Sequence, residues 1–447
     1  MYRILPISIA CGLALITTVA HATDLLQVYH EAAANNATYQ SAQATYEAAK
    51  ENIPIARGNL LPNISATGSL TKNYQSPGVP KSYTQSELTL TLTQNLFNLG
   101  VWENYGQSYI KVKQAAITFA IAEQSLIQSV TTAYFNVLQA QDQLRYAKQN
   151  EASLAQQMKQ TTEQYKVGLK AFTDVQSTRA SYEQAVSDRV AAANTVHNNL
   201  EALAAITGRP ESNLATLEKN FPLIKPTPLN PTPWVNYALK HNLQLISDNI
   251  QTLIDQKQIK VDEGGNPNTT VAGYWPTAEL TGTADYTHDG SADPQTTRTA
   301  SIQGQISWTA FNGFETYHTV NQDKYTVQAD IDTAEQTRRD TISSIRQDYL
   351  NILSDISQIQ ALNQAVISGE SSLKATKAAY EVGTRTIVDL LTEQSTLFQS
   401  QQNYADAIYQ YIDDSIQLKL DAGLLSEHDI VAINNMLVPQ SPSKQSA

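Results

Sequence analysis

The sequence repeats itself at one fixed spacing. Leu61-Pro62 returns as Trp275-Pro276 and Phe97-Asn98 as Phe311-Asn312, both at an offset of 214. Tyr134, Asn136 and Leu138 return as Tyr349, Asn351 and Leu353, at 215. Tyr165, Val167, Gly168 and Asp174 return as Tyr380, Val382, Gly383 and Asp389, again at 215, and Gly208 returns as Gly423. One register held over so many columns is an internal duplication, and a duplicated chain builds one structural plan twice. Each copy runs in the same order: a helix-like block (24–57 or 234–263), two strand-like segments, a long helical block and a turn-rich tail. The expected division is a first repeat over 23–233 and a second over 234–438, joined by a proline-rich linker over 208–233.

Proline placement sharpens the plan. None of the 16 prolines lies in 81–209 or 295–438. Proline is excluded where every backbone N–H must be bonded, above all in long helices. Within the first gap the apolar spacing is Ile127, Val130, Tyr134, Val137, Gln141, Leu144, with one polar interruption. In the second it is Ile342, Ile345, Tyr349, Ile352, Ile356, Ile359. Sustained 3-4 spacing is a coiled-coil seam, and alanines at 133, 140 and 147 add a second, small-residue seam. A helix over 102–165 spans about 95 Å at 1.5 Å per residue. Gly168 breaks it, and a helix over 173–206 returns for about half that length. The second repeat gives 314–380 and 388–422. Two half-length helices stacked end to end match one long one, with the linker at the middle level.

The strand segments alternate with a period of two, which gives one apolar and one polar face. Leu88, Leu90 and Leu92 interleave with Glu87, Thr89, Thr91 and Thr93, and Ile302, Gly304, Ile306 and Trp308 with Ser301, Gln303, Gln305 and Ser307. Residues 278–286 follow the same rule, and 64–71 follow it more loosely. The stretches at 75–78 and 288–291 have the composition of exposed loops. A half-buried sheet in a soluble domain has this pattern, and so does a membrane barrel with lipid outside and water inside. Four strands are too few to close a membrane barrel, and an open edge is not tolerated in lipid. If these strands span a membrane, several chains share one barrel. Tyr74, Tyr83, Tyr274, Trp275, Tyr286 and Trp308, near strand ends, are candidates for interfacial aromatic girdles.

Composition narrows the compartment. Residues 1–22 have the form of a secretory signal: Arg3, an apolar run from Ile4 to Ala20, and the small-x-small stretch Ala20-His21-Ala22. Cys11 is the only cysteine, and Ser8-Ile9-Ala10 before it is a poor lipobox. Loss of the signal would leave no cysteine, which removes disulfides, thiol catalysis and thiolate metal sites. A formal net charge of −12 disfavours nucleic-acid binding. No later stretch is apolar enough for a transmembrane helix. The seven histidines are scattered singly, without metal-ligand spacing, and there is no nucleophile elbow or phosphate-binding glycine loop. No enzyme, metal or cofactor reading emerges; His288 and His428 fit loop and surface positions.

The sequence resembles the TolC family of outer-membrane channels. The residues that carry the resemblance are Ala133–Leu138 (A-Y-F-N-V-L), Tyr165–Gln176 (Y-K-V-G-L-K-A-F-T-D-V-Q) and Tyr380–Leu391 (Y-E-V-G-T-R-T-I-V-D-L-L). The likeness extends from Asp24 to Leu437. It implies an α+β fold, in which long coiled-coil hairpins form a periplasmic helical barrel continuous with a transmembrane β-barrel, 12-stranded in a homotrimer with four strands from each chain. It implies an exit duct set in outer-membrane lipid and extending into the periplasm. That duct serves inner-membrane pumps through a periplasmic adaptor (a membrane fusion protein). By motif position, Val167, Gly168, Leu169 and Val382, Gly383, Thr384 are the adaptor-docking tips. The resemblance further implies a constriction ring at Asp389 and a closed-state latch of Tyr380 and Arg385 against Thr173 and Asp174. The family's second constriction aspartate falls on Thr392, with Glu393 beside it but rotated about 100° around the helix. Cargo is left open among drugs, protein toxins and metals, because selectivity lies with the pump. The competing reading is a soluble periplasmic coiled-coil adaptor or scaffold without lipid-facing strands. The tail over 439–447 is expected to be disordered.

Overall fold

The computed structural model describes residues 23–75, 81–211, 213–218, 221–269, 271–290 and 294–438. The expectations placed on 1–22, 76–78, 291 and 439–447 lie outside these residues. Three short helices open the chain: α1 (Leu25–Asn35), α2 (Ala37–Lys50) and α3 (Asn52–Gly58). Strands β1 (Asn63–Gln75) and β2 (Lys81–Phe97) follow, then α4 (Leu99–Lys166), which returns as α5 (Phe172–Thr207). A short strand β3 (Thr216–Leu217) precedes the second round: α6 (Pro231–His241), α7 (Leu243–Gly264), β4 (Thr277–Asp289), β5 (Gln295–Ser307), α8 (Glu315–Glu381) and α9 (Ile387–Asp421). Helix α10 (Glu427–Asn434) and strand β6 (Leu437–Val438) end the described chain, with β6 antiparallel to β3.

Helices α4 and α8 have 68 and 67 residues, so each is about 100 Å long. α4 packs on α7 near its start and on α5 and α9 further along. α8 packs on α7 and α9 in the same way, so half-length helices line up along full-length ones. The seams fall where the 3-4 spacing puts them. Ile127, Val130, Tyr134 and Val137 are buried, as are Ile345, Tyr349, Ile352, Ile356 and Ile359. The main core sits at the middle level. There the fully buried Tyr134 donates its hydroxyl to the carbonyl oxygens of Ala215 (2.8 Å) and Thr23 (3.2 Å), tying the linker and the start of α1 to mid-α4.

The two helix-like blocks are not continuous, which corrects the reading of 24–57 and 234–263 as single helices. Each is broken at an asparagine in extended conformation, Asn36 (ψ 115°) and Asn242 (ψ 120°). Asn36 accepts from the N–H of Tyr39 and Asn242 from that of Leu245, so each side chain starts a new helix. Their amides reach the far end of a return helix: Asn36 Nδ2 donates to the Ile206 carbonyl (3.2 Å) and Asn242 Nδ2 to that of Asp421 (2.9 Å). Asparagine at a helix start is a strong local preference, because its side chain satisfies an otherwise orphaned N–H.

The four long strands form one antiparallel sheet in the order β1-β2-β4-β5. Directly opposed residues share a face. The pairings Ile64↔Leu92, Leu90↔Ala284 and Gly282↔Ile302 therefore run one apolar face across all four strands. The opposite face is threonine, serine, glutamine and acid, with Thr89 donating to Asp285 at 2.8 Å and Thr283 paired with Ser301 at 2.7 Å. Ile302 and Ile306 on the apolar face are 83% and 80% exposed, although they are large hydrophobic residues. Tyr74 and Tyr286 also lie on this face, whereas Tyr83 opposes Asn73 on the polar one, which removes it from the girdle.

Candidate functional site

The sheet and the hairpin turns are the two places where the fold leaves chemistry unspent. Strands of 13, 17, 13 and 13 residues exceed the roughly 9–11 needed to cross a bilayer at a tilt. The outer edges of β1 and β5 have no neighbouring strand among the described residues. Lys72 and Arg298, on the apolar face, lie over the rings of Tyr74 and Tyr286, each at 5.6 Å. Long basic side chains beside aromatic rings are suited to a headgroup level. At the helical junction, backbones approach closely: a Cβ on Gly100 would lie 1.8 Å from the Gly265 carbonyl oxygen, so only glycine fits.

The two turns are built alike. Gly168 and Gly383 sit in the left-handed region (φ 75° and 83°) with open space around them. The N–H groups of Gly168 and Leu169 donate to the carbonyls of Tyr165 and Gln164, both at 2.9 Å. Gly383 and Thr384 repeat this with Tyr380 (3.1 Å) and Ala379 (2.9 Å). The result is a glycine helix stop that satisfies the last carbonyls. Val167, Leu169 and Val382 project outward, exposed at 70%, 72% and 76%. Both turns therefore hold large apolar side chains in water. The tips touch: the Lys170 ammonium lies 4.0 Å from the centre of the Tyr380 ring, a contact that no motif signals.

Asp389 is in the first turn of α9, in a capping box. It accepts from the N–H and hydroxyl of Thr386, both at 2.9 Å, and its own N–H donates to the Thr386 hydroxyl at 3.2 Å. Arg385 Nη1 lies 3.9 Å from Asp389. The Thr386 backbone N–H, then its hydroxyl, and more weakly Arg385 hold this carboxyl below the usual range. It is an ionised group at a helix N-terminus, where negative charge is favoured.

The expected latch does not form within the chain. Arg385 turns to Asp389 on its own helix, and Asp174 makes no side-chain bond among the described residues. Tyr380 is buried in a small cluster with Ile387 and Leu390, and its hydroxyl has no hydrogen-bond partner among the described residues. Thr173 and Asp174 begin α5 beside the Lys170 turn. Thr392 is exposed, and Glu393 accepts from Ser372 of α8 at 3.0 Å, so its carboxylate is turned toward the hairpin partner. No group of three or more metal-ligating side chains is found among the described residues, and no described helix is long and apolar enough to cross a membrane.

Comparison with known proteins agrees with this geometry. Residues 28–209 and 266–424 match the family described as outer membrane efflux protein. The outer membrane protein TolC of Escherichia coli (strain K12) is 33% identical over 453 residues, covering 98% of this chain and 90% of that protein. The alkaline protease secretion protein AprF of Pseudomonas aeruginosa is 24% identical over 461 residues, covering 100% and 94%. Among solved structures, the Campylobacter jejuni CmeC outer membrane channel superposes with a TM-score of 0.76 at 17% identity, over 97% of each chain.

Proposed function

The chain belongs to the outer membrane efflux protein family and is an outer-membrane exit duct, and we propose that three copies form it, opened when a periplasmic adaptor docks at the hairpin turns. One observation carries the assembly. A four-stranded sheet exposes an apolar face and leaves both edges unpaired, which lipid forbids unless other copies complete the ring. Three copies give a 12-stranded barrel. A soluble scaffold would instead hold Ile302 and Ile306 in water.

In this reading 1–22 is removed on export, 23–233 and 234–438 are two copies of one plan, and 439–447 is a tail. Val167, Gly168, Leu169, Val382, Gly383 and Thr384 receive the adaptor. Asp389, brought together by the threefold axis, forms a ring that attracts cations. Tyr380 and Arg385 reach Thr173 and Asp174 only in the assembled closed state. The Arg385–Asp389 contact is 3.9 Å, long for an ion pair, so exchanging it for a partner on a neighbouring copy costs little.

The test is fractionation with crosslinking. A heat-modifiable trimer should be extracted only by detergent from outer membranes, and photocrosslinkers at Leu169 and Thr384 should capture one adaptor in cells. Recovery of a monomer from the aqueous periplasm would reject the assembly, and trimers without a tip crosslink would reject the docking.

A further inference from the structure

Helix α8 meets its neighbours through carboxyl pairs at heptad spacing. Asp323 faces Asp262 and Asp330 faces Asp255, both on α7. Further along, Asp348 faces Asp421 and Asp355 faces Asp414, both on α9. Each step of seven on α8 is answered by a step of seven on the antiparallel partner, so the pairs stack as rungs. A rung with a hydroxyl in place of one carboxyl continues the first series, where the Thr337 hydroxyl donates to Asp248 at 2.6 Å.

The two sides of a rung are not equivalent. Asp255, Asp262, Asp414 and Asp421 each accept an amide from the glutamine four residues earlier, at 2.8 Å on α7 and 3.0 Å on α9. The α8 members have no such donor. Among the described residues, Oδ2 of Asp323, Asp330, Asp348 and Asp355 is buried with no donor other than a proton shared with the facing carboxyl, and Asp355 as a whole is only 9% exposed. As two anions a rung has acceptors on both sides and nothing to donate. A single proton on the α8 member makes each rung what Thr337 makes of Asp248.

The surrounding charges favour that proton. Beyond the facing carboxyls, Asp323 also sees Asp255, Asp330 sees Asp248 and Asp348 sees Asp414. Nearby cations are engaged elsewhere: Lys257 of α7 with Glu103, and Lys419 of α9 with Asp429. Helix α6, also against α8, brings Lys240 and His241, and the His241 ring is stacked on Tyr237. Burial first and the facing carboxyls next push Asp323, Asp348 and Asp355 up to about 7. Contact with Asp255, then burial, pushes Asp330 up to about 6.

We propose that four proton-sharing aspartate pairs fasten α8 to α7 and α9, making a seam of the helical body that tightens in acid and loosens above neutrality. The seam rests on packing within one chain and does not depend on adaptor docking. In the unfolded chain these carboxyls ionise near 3.8. The folded state binds more protons from about pH 4 to about pH 7, and its stability falls as pH rises through that window.

The test uses the full-length protein in detergent. Infrared spectra of the wild type should show a protonated-carboxyl band at about pH 5.5 that is gone by about pH 8.5. Replacing all four α8 members (Asp323→Asn, Asp330→Asn, Asp348→Asn, Asp355→Asn) should remove the band, because an amide donates at any pH. In urea, the wild-type unfolding constant should rise at least about tenfold over that range, and the variant's by less than about twofold. Thr337→Asp should enlarge the band. A wild type without a titrating band above about pH 5.5 overturns the proposal, whether or not the variants fold. So does a variant that titrates like the wild type.

Discussion

At Asp389 a hydroxyl and a backbone N–H of Thr386 hold the carboxylate, while its repeat mate Asp174 has no such support. The difference comes from a single residue. The position of Thr386 is occupied in the first repeat by Ala171, which offers no side-chain cap to α5. Ala171→Thr should therefore complete a capping box with Asp174 and stabilise the start of α5 by about 1 kcal/mol. The midpoint of urea unfolding measures it, and an unchanged or lowered midpoint would show that the turn cannot supply cap geometry. At Asp389 the sign of the pH effect is fixed by its lowered folded value. Its stabilisation is present above the ordinary carboxylate range and is lost as pH falls through that lowered value, opposite in sense to the α8 aspartates. The motif position of Asp389 was legible in the sequence. Its partner was legible too, because Thr386 stands three residues before Asp389 at capping-box spacing, but the aspartate was read only as a group facing the passage.

Elements were legible wherever one period dominates. Long proline-free seams became α4 and α8, and period-two segments became strands whose register aligns one apolar face across the sheet. Tyr83 was misplaced because nearness to a strand end does not say which face a residue takes; parity along the strand does. The breaks at Asn36 and Asn242 were missed because helical periodicity continues across them. The signal was an asparagine two to three residues before a fresh apolar run, read as helix interior rather than as cap. Asn36→Ala and Asn242→Ala should each cost about 1–2 kcal/mol, through loss of a cap and of the tether to Ile206 or Asp421. The two sites lie on different elements, so their effects on the urea midpoint should add. In the sheet, Ile302→Lys places a charge on the apolar face and should cost roughly 2–4 kcal/mol in a bilayer. Gln303→Lys, one residue on and facing the other way, should leave the heat-modifiable trimer in place. Equal loss of trimer in both would show that the two faces are not lipid and water.

For the whole molecule, charge is sorted by face as well as by sign. The formal net charge is −12, yet the described sheet does not spread its acids evenly. Glu87, Glu279 and Asp285 share the polar face, while Lys72 and Arg298 lie on the apolar face beside tyrosines. Closing the sheet with its apolar face outward puts these three acids into the lumen, and Lys72 and Arg298 on the outside. A water-filled passage with one sign of charge on low-dielectric walls concentrates the opposite ion. The hairpin turns add Asp389 at the other end of the helical body. In the three-copy assembly proposed above, acid at both levels should make the duct cation-preferring along its length, and salt should weaken the preference as screening shortens. Planar-bilayer recordings under a potassium chloride gradient read this as a reversal potential. The wild type should favour potassium, and Glu87→Gln with Asp285→Asn should shift the reversal toward zero. Asp389→Asn should shift it further, and Arg298→Ala should leave it unmoved, because its charge lies outside the passage. A wild type that favours chloride, or an Arg298→Ala shift as large as that of the lumen pair, would mean that the sheet closes with its faces reversed.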